Sequence, residues 1–271
     1  MALIDLDRVH IMAIVNVTDD SFYSASRVAS EQALERRIAE VVEQGATIID
    51  IGGYSSRPGA DDIDLETEWS RVDLGVGVAR RVAPNVAVSV DTFRAEIVRR
   101  TVEKYGEIIV NDITAGEADS DMVALVAEHN LTYVAMHMRS VPKSMQDYTD
   151  YDDVVAEVVD YLKNRAAELE HQGVRRENII LDPGFGFGKT LEHNYTLLRQ
   201  LEDFRIFDLP LLIGISRKSM ITKPLDITAD EALNGTTALN AFALMKGAHL
   251  LRVHDVKAAV EVVKLFERVK I

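Results

Sequence analysis

Apolar residues in this chain gather in short runs rich in β-branched side chains. Each run is followed by a loop and then by a stretch of mixed character. The runs are Ile11–Val17, Thr47–Ile51, Val86–Val90, Ile108–Asn111, Leu131–Met136, Ile179–Leu181, Leu211–Ile215 and His249–Val253. Continuous Val/Ile/Leu segments without strict alternation are the pattern of strands covered on both faces. Between them the period changes to that of an amphipathic helix. Glu31–Gln44 sets Ala33, Ile38, Val41 and Val42 toward one side, and Tyr151–Gln172 repeats Val154, Val158, Tyr161 and Leu162 in the same manner. Ala232–Lys246 and Val256–Val269 follow suit. Gly45, Gly106, Gly173 and Gly247 each stand past a helical stretch and before a strand, where a left-handed residue ends a helix.

Strand–helix alternation predicts a parallel sheet with right-handed crossovers. Eight such units in 271 residues fit an α/β fold, a (β/α)8 TIM barrel forming a single domain over residues 1–271, with a doubly wound open sheet as the alternative. No Pro/Gly/Ser-rich linker and no near-identical repeat divides the chain. The polar stretch Arg139–Asp150, with Pro142 and Asp147, reads as a long loop after the fifth strand.

What ends the runs carries more information than the runs. Asn16, Asp50, Asp91, Asn111, His137, Asp182, Ser216 and His254 lie at or just past the C-terminal ends of the apolar segments. In a parallel barrel those ends share one face, where active sites are built. Polar residues end strands in most proteins, because loops are wet. Carboxylates, amides, a hydroxyl and imidazoles at successive ends favour a shared pocket.

Composition narrows the choice. Hydrophobic residues make up 47% and charged residues 27%, which excludes disorder as the main state. Lys and Arg total 30 against 44 Asp and Glu, a formal net charge of -14, which argues against a nucleic-acid binder. The chain has no cysteine, so disulfides, thiolate nucleophiles and Cys-ligated zinc are excluded. The start Met1-Ala2-Leu3-Ile4-Asp5 reaches charge at once, and no apolar run approaches a bilayer's width. A cytoplasmic protein with no membrane partner is the expectation.

The segment Asp182-Pro183-Gly184-Phe185-Gly186-Phe187-Gly188-Lys189-Thr190 superficially invites a nucleotide reading. A phosphate-binding loop needs Gly where Pro183 stands, and the alternating glycines do not fit the dinucleotide pattern. The segment reads better as a turn that lets backbone approach a flat ligand, with Asp182 directed into the site. Phe185 and Phe187 suit either the core or the ligand border. The seven histidines lack metal-ligand spacing, so zinc is not expected. His10, His129, His171, His193 and His249 read as surface, capping or helix residues, and His137 as either core or site. Arg252-Val253-His254 puts two polar side chains on one side of a strand, which suits an anion. Ser216-Arg217-Lys218-Ser219 follows the seventh strand, where barrels often build a phosphate site. Ser55–Ala60 reads as a candidate lid, and Asn16–Phe22 as a loop with an aromatic suited to binding.

At these residues the sequence resembles the dihydropteroate synthase family of folate biosynthesis. The matching segments, in order, are Ile11–Phe22, Gly45–Ala60, Ser89–Phe93, Asn111–Ile113, Met136–Gln146, Asp182–Asn194, Gly214–Met220 and Gly235–Val256. The resemblance implies a (β/α)8 barrel, commonly a homodimer. Its reaction joins 6-hydroxymethyl-7,8-dihydropterin pyrophosphate to p-aminobenzoate with Mg2+ present, releasing pyrophosphate. By motif, Asp91, Asn111, Asp182 and Lys218 would hold the pterin, with Met136, Phe187, Gly214 and Arg252 around it. Asn16, Asp50, Arg252 and His254 would form the pyrophosphate neighbourhood, with Asp50 orienting Arg252 and Asn16 at the metal. Ser56, Arg57, Phe187, Lys218 and Ser219 would border the p-aminobenzoate. Asp91, Lys218, Arg252 and Arg57 would serve catalysis.

The chain departs from the family's pattern in two loops. Asp19 stands where the family usually has Pro, Ser24 where it has Asp, and Ala25 and Ser26 where it has Gly. Tyr54 replaces a common Glu, and Ser56 a common Thr. The alternatives are a pterin-binding methyltransferase module, a non-catalytic pterin-binding paralogue and a phosphate-binding barrel aldolase. The first has no use for a pyrophosphate site, and the last needs a Schiff-base Lys buried at a strand end. Lys218 lies beyond its strand.

Overall fold

The computed structural model describes residues 5, 8–17, 27–54, 62–139 and 148–269. Its elements alternate as the sequence pattern predicts: β1 (His10–Asn16), α1 (Arg27–Glu43), β2 (Ile48–Gly52), α2 (Leu65–Val82), β3 (Ala87–Asp91), α3 (Ala95–Tyr105), β4 (Ile109–Asp112), α4 (Met122–Glu128) and β5 (Thr132–Met136). They continue with α5 (Val154–His171), β6 (Ile179–Asp182), α6 (Leu191–Arg199), β7 (Leu212–Ile213), α7 (Ser219–Leu225), α8 (Leu233–Met245), β8 (Leu250–Val253) and α9 (Val256–Val269). The strands pair in parallel in the order β6-β5-β4-β3-β2-β1-β8-β7. One further bridge, Leu181 to Leu211, joins β6 to the β7 side and turns the sheet into a barrel. The open-sheet alternative is thereby excluded.

Helix ends follow local chemistry. Asp64 caps α2 by accepting from Thr67 N at 2.7 Å, and Asp153 caps α5 through Val155 N and Ala156 N. Thr190 and His193 form a reciprocal capping box on α6. Gly45, Gly106, Gly173 and Gly247 all have positive φ, between 80° and 104°, as the stop pattern requires.

Two apolar layers hold the barrel. One residue from each strand fills its floor: Met12, Ile48, Ile109, Val134, Ile180, Leu212 and Leu250, with Ala87 packed against them. The alternate residues, among them Ala13, Val15, Ile49, Ile51, Val88, Val90 and Val253, face outward and join the helices in the larger core. Because side chains alternate with period two, this floor fixes what lies above it. Two residues further along each strand come Ile14, Asp50, Ser89, Asn111, Met136, Asp182, Gly214 and Arg252. Two more bring Asn16, Gly52, Asp91, Ile113, Met138, Gly184, Ser216 and His254 to the rim. Floor, middle ring and rim are thus one strand pattern read upward.

Some expectations need correction. His10 is buried at the start of β1, its ring bonded to Thr47 Oγ1 at 3.1 Å and to the Asp5 carbonyl, so it is neither a surface nor a capping residue. Strand β7 is two residues long where a run of five was expected, and the extra helix α7 lies between it and α8. The middle of the loop expected at Arg139–Asp150 lies outside the described residues.

Ile109 has no exposed surface in the floor layer. Ile109→Ala is therefore expected to cost about 2–5 kcal/mol. Urea unfolding of the variant against the parent checks this.

Candidate active site

The middle ring and the rim converge on Arg252. The residue stands on β8, two positions above the apolar Leu250, so its side chain rises into the barrel mouth. Its Nε donates to Asp50 Oδ2 at 2.7 Å, and its Nη2 donates to Asp91 Oδ2 at 2.6 Å. Asp50 on β2 has no exposed surface and also accepts from Asn111 Nδ2, at 3.2 and 3.4 Å. Strands β2, β3, β4 and β8 are therefore tied by one carboxylate–guanidinium–carboxylate chain. Burial works against the Arg252 charge, but Asp50 and Asp91 outweigh it and hold its pKa above the usual arginine value. Burial pushes the Asp91 carboxyl up to about 7. The Arg252 charge opposes that rise, while Asp50, Glu68 and Asp112 add to it.

Across the mouth, Asp182 ends β6. Its Oδ1 accepts from Gly184 N at 2.7 Å. Burial raises its pKa, against the pull of Lys218, the Gly184 N–H, Arg252 and Lys189. Gly184 has φ +70°, and a Cβ there would lie 2.0 Å from the His137 carbonyl oxygen, so the turn needs glycine at this point. Lys218 precedes α7. Its Nζ donates to the Phe185 carbonyl at 2.6 Å and sits 4.7 Å from the Phe187 ring centroid. Burial lowers its pKa to about 8, opposed by Asp182. Gly214 leaves room between Lys218 and Arg252: a Cβ on it would be 3.9 Å from Lys218 Nζ and 3.8 Å from Arg252 Cβ.

The aromatic question is resolved by burial. Phe185 is fully buried in the core, whereas Phe187 is partly exposed and packs on Ile113, Met136 and Met138. That apolar wall is suited to a flat ring. His254 Nδ1 lies 3.0 Å from Ser216 Oγ at the rim. Asn16 lies half-buried at the end of β1. A Cβ on Gly52 would lie 3.0 Å from Asn16 Oδ1 and 4.0 Å from Asp91 Oδ2, so glycine keeps open a small cradle between two oxygens. Ser219 is exposed beside Lys218. Tyr54 packs edge-on against Phe93 at 5.1 Å, with the Arg94 guanidinium 5.6 Å from its ring.

The structure therefore gathers Asp50, Asp91, Asn111, Met136, Asp182, Phe187, Gly214, Lys218 and Arg252 in one mouth, with Asn16 and His254 on the rim. Asp50 reaches any ligand only through Arg252 and Asn111, since it is wholly buried. Ser56 and Arg57 lie outside the described residues, as do Asp19, Ser24, Ala25 and Ser26. Two residues were not singled out as site residues from the sequence. Ser89 lies in the middle ring, and its buried Oγ has no partner among the described residues. Lys189 is buried behind the Asp182 turn. The period-two spacing from Ala87 would have found Ser89. A separate cleft of about 660 Å3, lined by Glu117, His137, Met138, Arg139, Tyr148, Glu157 and Tyr161, opens by the end of β5. Its polar groups pair with one another, Tyr161 with Glu117 and Arg139 with Glu157. Among the described residues, no three His, Asp or Glu side chains form a metal cage.

Residues 12–254 match the family described as pterin binding enzyme. The dihydropteroate synthase of Escherichia coli (strain K12) is 43% identical over 266 residues, covering 97% of this chain and 93% of that protein. A dihydropteroate synthase from Xanthomonas albilineans, solved with 4-aminobenzoic acid, superposes with a TM-score of 0.90 at 35% identity, covering 98% of this chain and 95% of the other. A Clostridium difficile dihydropteroate synthase, solved in the presence of pteroic acid, gives 0.90 at 31% identity, covering 97% of each chain.

The raised Asp91 pKa has a consequence for stability. Between the unfolded carboxyl value, near 3.8, and about 7, the folded chain holds a proton that the unfolded chain has lost. Stability from this group is present at low pH and falls as pH rises through that window. Asp91→Asn cannot lose the proton, so its stability relative to the parent should climb from pH 4 to 7 and level off above. Denaturant midpoints at a series of pH values test this, and a declining difference would contradict it.

Proposed function

Because this chain belongs to the pterin-binding enzymes, among the dihydropteroate synthases, we propose that it condenses 6-hydroxymethyl-7,8-dihydropterin pyrophosphate with p-aminobenzoate to give 7,8-dihydropteroate and pyrophosphate. The observation that carries this reading is the convergence of Asp182, Asn111 and Lys218 on the same mouth as the Asp50–Arg252–Asp91 chain. A carboxylate accepts from the adjacent N–H donors of an aminopyrimidine edge, which suits Asp182. Asn111 offers both a donor and an acceptor. Lys218 meets an acceptor on the opposite edge. Arg252 presents a flat guanidinium already oriented by two carboxylates, able to stack on the ring and meet phosphate.

The carbon attacked is a methylene on an electron-rich dihydropterin ring. In the route we favour, the C–O bond to pyrophosphate breaks first and the ring delocalises the positive charge. Arg252 and His254 face the departing anion, and ionised Asp91 faces the cation. The neutral aniline nitrogen then forms the new C–N bond and releases its proton, with no strong base required. Phe187 and the exposed Ser219 border the place where p-aminobenzoate approaches, and by motif Ser56 and Arg57 would contact it as well. By the same motif, the loops after Asn16 and Gly53 would exclude water, which would otherwise trap the cation as an alcohol.

The donor set fits Mg2+ in one respect. That ion keeps most of its waters and is often held through one or two protein oxygens plus substrate phosphates. Asn16 Oδ1, beside the open cradle over Gly52, is the oxygen that would take part. When bound, the ion would neutralise charge on the pyrophosphate.

We also place the enzyme in the cytoplasm, in keeping with a chain that has no cysteine, and no helix among the described residues is long and apolar enough to cross a membrane. We assign it a homodimer through α8 and α9. Phe242 and Met245 on the first and Leu265 and Val269 on the second are exposed apolar side chains.

Supplying the pterin pyrophosphate, p-aminobenzoate and Mg2+ should yield dihydropteroate and pyrophosphate in equal amounts. Absence of product with a folded enzyme rejects the assignment. Asp182→Ala should weaken pterin binding by about 150-fold or more by calorimetry, the equivalent of two charge-assisted hydrogen bonds at about 1.5 kcal/mol each. The pH profile of kcat/KM should rise as Asp91 ionises near 7 and fall as Lys218 loses its proton near 8. Asp91→Asn should lose the rising limb.

A further inference from the structure

Lys189 belongs to none of the contacts assigned above, yet it is only 4% exposed and makes an unusually dense set of bonds. Its Nζ donates to the Gly184 carbonyl at 2.9 Å and the Phe187 carbonyl at 3.0 Å, and lies 2.9 Å from His137 Nδ1. The His137 carbonyl is a further 3.5 Å contact. Among the described residues it has no ion-pair partner. Burial lowers its pKa to about 7, opposed by the nearby Asp182 charge, so with no carboxylate in direct contact the acceptors around it carry most of the compensation. They come from two places that otherwise need not stay together: the residue after β5 and the turn after β6.

The same turn carries both substrate-facing groups. Phe187 N bonds back to Gly184 O at 3.1 Å, and Gly184 N holds Asp182 Oδ1. Gly186 N bonds to Asn194 Oδ1 at 2.6 Å. Lys218 takes the Phe185 carbonyl from the other side. Three carbonyls of residues 184–187 are thus spoken for by two lysines, one facing the substrate mouth and one behind it. Only the rear lysine holds the carbonyl of Phe187 itself. His137 stays a neutral acceptor: burial, with the charges of Lys189 and Arg139, lowers its pKa to about 2.

We propose that Lys189 is a positioning residue for the second substrate: by gathering the Gly184 and Phe187 carbonyls against His137, it fixes the Phe187 ring at the border where the aromatic amine docks. This rests on the dihydropteroate synthase reading given above. Asp182 has further anchors outside the turn, its carbonyl accepting from His137 N at 2.9 Å and its carboxylate drawn more strongly by Lys218 than by Lys189, so the pterin side depends on Lys189 less than the amine side does.

The test is Lys189→Met, which keeps the stem and removes the donors. The KM for p-aminobenzoate should rise about tenfold while pterin affinity changes less than threefold. Amide hydrogen exchange should accelerate in residues 184–188 and stay unchanged in β5 and β6. Exchange needs no turnover, and the parent enzyme's activity tests the reaction separately, so failure of one is distinguishable from failure of the other. Should the Met variant not fold, Lys189→Arg is measured in the same way and should show the same selective pattern with smaller shifts. An unchanged KM in a folded variant, an equal loss for both substrates, or failure of both variants to fold would overturn the proposal.

Discussion

A single guanidinium held between two carboxylates organises the mouth of this barrel. Arg252 bridges Asp50 and Asp91 across the interior, and Asp50 carries the link on to Asn111. Each charge alone would be expensive to bury, and together they have few alternative geometries. The triad therefore fixes the relative heights of strands β2, β3, β4 and β8. It also leaves Arg252 pre-aimed, so little side-chain freedom remains to be lost when an anion arrives.

The triad can exist only because of the layer beneath it. Seven tightly packed apolar side chains and Ala87 close the barrel's interior and exclude water from below. Polar groups two residues higher then stand on a dry floor, where they satisfy one another or wait for a ligand. The same pleat that alternates core and interior along a strand separates the structural residues from the chemical ones. Val253 packs outward into the helices while its neighbours Arg252 and His254 face the mouth.

Much of this was legible in the sequence. The eight apolar runs located every strand, and the polar residues at their ends marked the mouth on which most of them converge, because a parallel barrel sends all those ends to one face. The alternation in Arg252-Val253-His254 was readable for the same reason. Other features depend on tertiary context that no local pattern encodes. His10 looked like a surface histidine because its partner Thr47 is 37 positions away. The Lys189 ammonium is satisfied mainly by backbone carbonyls, which every residue possesses, so its partners leave no mark in the sequence. Phe185 and Phe187 are identical in type and nearly adjacent, and only the path of the glycine-rich turn between β6 and α6 sends one inward and leaves the other at the border.

The barrel's closure is uneven. Six neighbouring strand pairs share ladders of three to five residue pairs and β7 meets β8 over two, whereas β6 meets the β7 side through a lone bridge at Leu181 and Leu211, supported by Leu181 N donating to the Pro210 carbonyl at 2.9 Å. A joint with so few backbone bonds is where the wall opens at least cost. The Asp182 turn and the Lys218 turn flank that joint, stitched above it by the Lys218–Phe185 contact. A heterocycle gripped from both sides would act as a rivet across the seam, so that the cylinder is at its most rigid when loaded and at its most pliable when empty.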